Sequence, residues 1–535
     1  MLPGCVPWPA EVARRYRAAG YWRGVDLPSA LGEWCAAGPG RIAMVDGERS
    51  WTYRELQEWT IAVADGLWRL GLRPGDRVVV HLPNRAELVV SLFAMCRIGV
   101  LPILALPAHR HSEIAYLVQA GGAVGYLVSD WSGEADHIAI ATRLVAEEPL
   151  LRHVIVVGGD AGPFTGFDSL AEPGPAAAAD RPDPADVAFF LLSGGSTGRP
   201  KLIPRTHDDY LYNIAVSTAN AGLAADTVYL TALPVAHNYA LGCPGVLGTL
   251  SVGGTVVLHD GSGVAETFAL IERHRVTMAP LVPPLAHLWT MTAGATRRDL
   301  SSLRLVQVGG QRLGADIARR IEPVLGCRLQ QSFGMAEGLL SQSGPDDDAG
   351  LTYAVQGRPI SPADEVLVVD TDGRPVPEGT PGELLVRGPY TIRGYYRAEQ
   401  TNRRAFTEDG YFRTGDLVRR LPSGHLVVEG RLTDVINRGG DKVSPEEVEE
   451  HLRAHPAIRE VVVLSVPDSL LGEQTCAVAV LRDEPVTLAS LTGFLRERGV
   501  ARYKWPDRLK VVTELPTTAV GKVSRAELRG WLAAG

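Results

Sequence analysis

The chain has 535 residues, 45% of them hydrophobic and 21% charged, a globular composition that excludes wholesale disorder. Its length allows about three or four folding units and an enclosed substrate site, and a formal net charge of -8 without a basic run argues against a nucleic-acid partner. Six cysteines (Cys5, Cys35, Cys96, Cys243, Cys327, Cys476) form no C-x-x-C pair, so neither a zinc site nor a disulfide framework is indicated; with no secretory pattern in MLPGCVPWPAEVARRYRAAG, the expected setting is a reducing cytoplasm.

In chain order, strands alternate with helices. Thr52-x-x-Glu55 is a capping box opening a helix whose apolar face runs Leu56, Trp59, Val63, Leu67 and Leu70, stopped by Gly71. A strand at 77–82, a helix from about Arg85 to Arg97 and a buried strand from Val100 to Leu106 follow. The apolar stretch 89–108 is broken by Arg97, Gly99, Pro102 and Pro107, so no membrane span is expected. The segment EPGPAAAADRPDPA (172–185) predicts a subdomain boundary, with a strand at 187–192 directly after it. From about Asp364 to Val428, short strands separated by Asp372-Gly373, Pro381-Gly382 and Ser423-Gly424 predict a β-rich unit.

Beyond Thr433 the character changes. Ser444 as N-cap, Pro445 at the first helical position and Glu447 at the third open a helix. Strands at 460–466 and 475–481 follow, then a helix face of Leu488, Leu491 and Leu495 ended by Gly499. The predicted fold class is α/β: a large N-terminal domain (1–432) of layered α/β subdomains plus the β-rich unit, and a small mobile α+β lid (433–535).

Residues 191–207, LLSGGSTGRPKLIPRTH, contain Gly194-Gly195-Ser196-Thr197-Gly198, which fits the G-x-S-x-G pattern of a hydrolase nucleophile elbow. An elbow needs a helix immediately behind its serine, whereas Pro200-Lys201-Leu202-Ile203-Pro204 reads as extended chain and the next helix start falls near Thr206 to Asp208. The alternative uses more of the letters. Hydroxyls of Ser193, Ser196 and Thr197, glycines that let backbone N–H groups approach, and the charge of Lys201 are the ingredients of an anion cradle. It is not a Walker A loop, because no Gly-Lys-Ser/Thr closes it. Lysine is scarce here: only Lys201, Lys442, Lys504, Lys510 and Lys522 occur, and three of these five sit in the glycine-containing loops GRPK, GGDK and AVGK, where an ammonium can meet a phosphate or carboxylate as a point charge.

Five motifs in order, SGGSTGRPK (193–201), FGMAEG (333–338), YFRTGD (411–416), GRLTDVINRGGDKV (430–443) and TAVGKV (518–523), resemble those of the adenylate-forming superfamily, and the resemblance covers essentially the whole chain. It implies ATP and Mg²⁺ as cofactors. Ser193, Gly194, Ser196, Thr197 and Lys201 would hold the β- and γ-phosphates, Glu337 would bind the metal as a hard oxygen ligand, and Gly309-Gly310-Gln311 with Phe333, Gly334, Met335 and Ala336 would surround adenine. Asp416 would accept from the ribose hydroxyls with Arg431 nearby, and Lys522 would bridge the substrate carboxylate and the α-phosphate. Asp434 would be the hinge that brings the GGDK loop over the site for a second step. Taken singly, Glu337 has an ordinary reading as a surface acid, Asp416 as a turn residue and Phe333 as core; their joint spacing carries the resemblance.

The substrate follows from Ala236-His237-Asn238-Tyr239. Amino-acid-activating members usually place an aspartate at the Asn238 position to pair an α-ammonium, and a neutral amide would leave that charge unpaired at high cost. HNYALGCPGVLG, QVGG and QQSFGMAEGLL are similar to the stand-alone aryl-acid adenylating enzymes of siderophore and nonribosomal peptide pathways. By that resemblance Asn238 contacts an ortho hydroxyl, His237 and Tyr239 wall the ring, and Gly309, Cys243 and Leu340 complete the pocket. Activators of 2,3-dihydroxybenzoate tend to carry serine and valine at positions 243 and 340; cysteine bonds more weakly and leucine is bulkier, which favours salicylate. Two departures, Gln311 and Ser341-Gln342-Ser343, leave 2,3-dihydroxybenzoate and 3-hydroxypicolinate as alternatives. With no carrier motif up to Gly535, the expected acceptor is the phosphopantetheine thiol of an aryl carrier protein in trans; an aryl-CoA ligase is the runner-up. A serine hydrolase through Ser196 and a non-catalytic nucleotide binder are the readings from other classes.

Overall fold

The computed structural model describes all residues except 131–135, 194–198, 260–262, 433–434, 483–484, 517–523 and 534–535. The described residues group into two compact units, one drawn from Met1–Pro107, Ala115–Ser193 and Leu202–Gly430, the other from Ala108–Ile114, Gly194–Lys201 and Arg431–Gly535.

Two mostly parallel sheets form the first unit. In the seven-stranded sheet the order is 165–166, 153–157, 125–129, 77–81, 101–104, 187–192 and 202–206, parallel except for its last pair. The nine-stranded sheet runs 358–359, 340–342, 328–334, 305–309, 278–281, 228–230, 255–258, 42–46 and 49–52, parallel in its middle and antiparallel at both ends. Buried parallel strands need apolar side chains on both faces, and Val78, Val79, Val80, Ile103, Leu104, Val306 and Val308 are all almost inaccessible. The helix Tyr53–Leu70 begins with the capping box at Thr52 and Glu55, both halves formed, and ends on Gly71 with φ of +105°, which only glycine adopts cheaply. The helix Ala86–Arg97 is buried along nearly its whole length, as its predominantly apolar sequence requires, with Glu87 and Ser91 buried in it too.

The segment 172–185 is not a subdomain boundary. The strands on either side of it, Thr165–Gly166 and Val187–Leu192, lie in the same seven-stranded sheet. The segment instead runs along the helix Tyr53–Leu70: Asp65 accepts from Ala177 N at 2.8 Å and Arg69 donates to the carbonyl of Glu172 at 2.8 Å. Its prolines mark a surface crossing that is pinned by side chains. The β-rich unit is a four-stranded antiparallel sheet, Glu365–Val369, Gly382–Arg387, Phe412–Arg420 and Leu426–Arg431.

The second unit holds a five-stranded sheet around the long hairpin Ile458–Asp468 and Gly472–Leu481, flanked by the helices Pro445–Arg453 and Leu488–Glu497. Ser444 caps the first of these, accepting from Glu447 N, with Pro445 leading the helix. Lys504 is almost fully buried and donates to Glu447 at 2.7 Å, so this lysine is structural. No described helix is long and apolar enough to cross a membrane.

Candidate active site

The strands that flank residues 193–201 pair antiparallel, Leu192 opposite Leu202 and Phe189 opposite Arg205. A strand, Leu202–Thr206, therefore follows the loop, and the helix His207–Ala221 starts only after Thr206, which caps it in a second capping box with Asp209. A nucleophile elbow requires strand, turn and immediate helix, so this topology opposes the hydrolase reading of Ser196. Gly194, Ser196, Thr197, Asp434 and Lys522 lie outside the described residues. Lys201 is half-buried and Arg431 exposed, both in the second unit.

Most of the remaining expected residues lie at or shortly after the carboxyl ends of parallel strands, where open α/β sheets bind ligands, whereas Asp416 stands on an antiparallel strand. Gly309 ends the strand Leu305–Gly309 and lies opposite Ser332 on Arg328–Gly334. That second strand delivers Phe333 and Gly334, reverses through Met335, Ala336 and Glu337, and returns as Leu340–Gln342, with Gly334 opposite Leu340. Gly310, with φ of +83°, turns the chain toward Gln311. A Cβ on Gly309 would stand 2.7 Å from the Ser332 carbonyl and 3.1 Å from the Tyr239 ring, so the absent side chain admits that ring.

His237 caps the short helix Asn238–Gly242 through its Nδ1, which accepts from Tyr239 N at 3.2 Å. Asn238 is buried: its Oδ1 accepts from the Tyr210 hydroxyl at 2.8 Å and its Nδ2 donates to Cys243 Sγ at 3.3 Å. Burial pushes the Cys243 thiol up to about 12, so it stays neutral. Cys243, Leu340, Tyr390, Tyr212, Tyr16 and Trp22 form one apolar cluster, with Tyr239 packed against it. The Tyr239 hydroxyl is enclosed and has no hydrogen-bond partner among the described residues. Such an orphaned phenol beside a glycine-lined strand end is suited to meet a polar group on a flat ligand.

Glu337 is 9% exposed, and its Oε1 accepts from the Tyr395 hydroxyl at 2.7 Å. Asp416 is buried on the strand Phe412–Arg420, directly after Gly415. Among the described residues no group of three or more His, Cys, Asp and Glu is arranged to hold a metal. A lone carboxylate suits Mg²⁺, which takes one or two protein carboxylates and fills its octahedron with phosphate oxygens and water.

Sequence reasoning missed the groups behind this layer. Tyr210, Arg205, Tyr390 and Tyr395 are all buried and reach the site residues across the fold, and buried Asp209 holds Arg205. The one available signal was chemical: DDYLYN inside a buried helix is too polar unless its groups have partners. Ser341, Gln342 and Ser343 prove to be internal. Ser341 donates to the Gln356 carbonyl, Gln342 donates to Ser332 and accepts from Asn220, and Ser343 accepts from Gln331 N, so this departure serves a buried network behind the sheet.

Two family models match the chain, AMP-binding enzyme over residues 31–396 and AMP-binding enzyme C-terminal domain over residues 447–522. A 2,3-dihydroxybenzoate-AMP ligase of Bacillus subtilis is 48% identical, covering 99% of this chain and 98% of that one. A salicyl-AMP ligase / salicyl-S-ArCP synthetase of Mycobacterium tuberculosis is 46% identical over 98% of this chain and 94% of its own. Among solved structures, the apo structure of MbtA from Mycobacterium smegmatis superposes with a TM-score of 0.77 at 45% identity, covering 98% of both chains. The chain belongs to the AMP-binding enzyme family, in the branch that holds these aryl-acid AMP ligases.

Proposed function

We propose that this protein activates a 2-hydroxy aryl acid, salicylate first among them, as its acyl-adenylate and then passes the acyl group to the phosphopantetheine thiol of an aryl carrier protein, with AMP leaving as the C–S bond forms. The observation that carries the reading is the neutral, doubly held amide of Asn238, bonded to Cys243, which shares an apolar cluster with Leu340 against which Tyr239 packs. A neutral donor suits an ortho oxygen and offers no counter-charge for an α-ammonium. Cysteine and leucine, in place of a smaller or better bonding pair, favour one hydroxyl over two.

In the first step a carboxylate oxygen attacks the α-phosphorus of ATP; the new C(O)–O–P bond forms as the bond to the pyrophosphate oxygen breaks. Both reactants are anions, so positioning and charge stabilisation dominate. Glu337 would hold Mg²⁺, which supplies positive charge to the phosphates. Ser193, Ser196, Thr197 and Lys201 would cradle the β- and γ-phosphates, Asp416 the ribose, and Lys522 the developing charge between carboxylate and α-phosphate. By comparison with other preorganised donors, replacing Lys522 by Ala should cost about 10²- to 10³-fold. A core of 1–432 and a lid of 433–535 turning at Asp434 complete the proposal.

The test is ATP–pyrophosphate exchange with salicylate, 2,3-dihydroxybenzoate, 3-hydroxypicolinate, benzoate and phenylalanine. A salicylate-led profile supports the reading, a lead by either of the next two replaces the substrate within the same chemistry, and exchange with phenylalanine alone overturns it. Thioester formation with free CoA instead of a carrier protein would identify an aryl-CoA ligase.

A further inference from the structure

The Asn238 amide is held from both sides. The Tyr210 hydroxyl donates to Oδ1 at 2.8 Å, and Nδ2 donates to Cys243 Sγ at 3.3 Å. Turned over, the amide would set a thiol donating to a carbonyl and a phenol accepting from an amide; a phenol is the better donor and sulfur the weaker partner, so the observed orientation wins. Among the described residues no protein group accepts the second N–H of Nδ2.

Tyr210 is itself immobilised. It is fully buried on the helix His207–Ala221, its ring stands edge-on to Phe189 at 4.7 Å, and the Arg205 guanidinium lies 4.9 Å from its centroid. A Cβ on Gly242 would come within 2.5 Å of the Tyr210 oxygen, so that oxygen reaches Asn238 only because position 242 is glycine. The Gly242 carbonyl is fixed in turn by Asn213 Nδ2 at 2.6 Å. Burial holds the phenol well above its ordinary range, so it remains a neutral donor.

We propose that Tyr210 is a specificity-setting positioning residue: by occupying Asn238 Oδ1 it fixes the amide as an N–H donor toward the acid pocket, so the site accepts an ortho substituent with a free acceptor lone pair and rejects one that only donates. This rests on the reading of Asn238 as part of the acid pocket. In 2-hydroxybenzoate the phenolic hydrogen points to its own carboxylate and the oxygen is left as an acceptor. In 2-aminobenzoate the nitrogen lone pair is delocalised into the ring and an N–H faces the pocket; against a fixed amide N–H, two donors oppose each other and both lose their partners. Without the Tyr210 hydroxyl the amide can turn over and offer its oxygen to the amine.

The experiment measures kcat/KM in ATP–pyrophosphate exchange for 2-hydroxybenzoate, 2-aminobenzoate and benzoate. The wild type should prefer 2-hydroxybenzoate to 2-aminobenzoate and should use 2-aminobenzoate no better than benzoate. Tyr210→Phe should shrink the hydroxy-to-amino ratio by about tenfold or more, the equivalent of one lost oriented hydrogen bond. In an Asn238→Ala background the same change should leave the ratio where it is, a coupling that a merely structural role would not give. A wild type that uses the hydroxy and amino acids equally overturns the proposal without any variant, which covers a Tyr210→Phe chain that fails to fold. A folded Tyr210→Phe with an unchanged ratio also overturns it. No exchange with any of the three acids, in a protein that exchanges with another carboxylic acid, overturns the pocket reading itself and this assignment with it.

Discussion

The hydroxyl of Tyr395 donates to Glu337 Oε1 at 2.7 Å, and the backbone of Tyr395 is clamped at both polar atoms by Asn402, which accepts at 2.8 Å and donates at 2.9 Å. Phe406 and Phe412 pack edge-on against the same ring. The carboxylate proposed to hold Mg²⁺ is therefore aimed by a phenol that cannot rotate away. Partners behind a metal ligand typically carry about 10- to 100-fold in affinity or activity. Tyr395→Phe should raise the Mg²⁺ concentration for half-maximal exchange by about tenfold and diminish the extra thermal stabilisation that Mg²⁺ adds to ATP. An unchanged Mg²⁺ dependence would separate Glu337 from the metal.

A second buried device stands one residue away. Arg205 and Asp209 are both inaccessible and 2.7 Å apart, and Arg205 also donates to the carbonyls of Ala336 at 2.7 Å and Tyr390 at 3.2 Å. Asp209 Oδ2 meanwhile accepts from the backbone and hydroxyl of Thr206. Removing one partner of such a pair strands the other charge, so Asp209→Ala should destabilise the first unit by about 3–5 kcal/mol in chemical denaturation. Arg205→Lys on its own should also destabilise, because an ammonium cannot span a carboxylate and two carbonyls held in different directions. A loss below about 1 kcal/mol would show that the pair is dispensable.

Local signals account for much of what the sequence made legible. The Thr52–Glu55 capping box, the Ser444-Pro445 helix start and the extended chain after Lys201 are all rules about residues within a few positions of one another. Partners across the fold follow no such rule. Tyr210 and Asn238, or Tyr395 and Glu337, are joined only once the sheets are built, because periodicity identifies a buried face without naming what it meets. The proline-rich segment misled for the same reason: its composition describes a surface crossing equally well when it separates domains and when it joins two strands of one sheet.

Asp364 supplies a pH signature. Its Oδ2 accepts from the Tyr390 hydroxyl at 2.6 Å, while its Oδ1 is enclosed without a partner among the described residues and lies where a Cβ on Gly388 would fall, 2.5 Å away. Burial pushes this carboxyl up to about 7, against the bonds from Tyr390 and Ser361 that favour the charged form. Since the folded pKa is raised, the unfolded chain gives up its proton first as pH climbs from about 4. The folded state binds more protons across that window, so stability falls with rising pH up to about 7 and is flat in this group above it, with a slope of at most about 1.4 kcal/mol per pH unit. Asp364→Asn should remove that falling limb, so the Tm difference between wild type and variant should shift steadily against the wild type from pH 5 to pH 7. A constant difference, or one moving the other way, would place the carboxyl in its ordinary range.

The proposed pocket wall offers the sharpest test of substrate choice. Cys243 and Leu340 share one apolar cluster, and Leu340 is fixed by its own N–H donating to the Tyr390 hydroxyl at 3.2 Å, so the wall is held from behind as well as from the side. A neutral thiol bonds weakly to a second ring hydroxyl and the leucine takes up the space it would need. Cys243→Ser supplies a competent partner and Leu340→Val removes one methylene, each worth about 1–3 kcal/mol of discrimination where the substrate fits the change. The double variant should raise kcat/KM for 2,3-dihydroxybenzoate relative to salicylate by about tenfold or more in pyrophosphate exchange. Because Asn238 bonds to Cys243 Sγ, the serine single variant also tightens the amide, so its salicylate rate should hold while its dihydroxybenzoate rate climbs. If neither ratio moves, position 243 does not face the ring's third carbon, and the preference between one hydroxyl and two is set elsewhere in the wall.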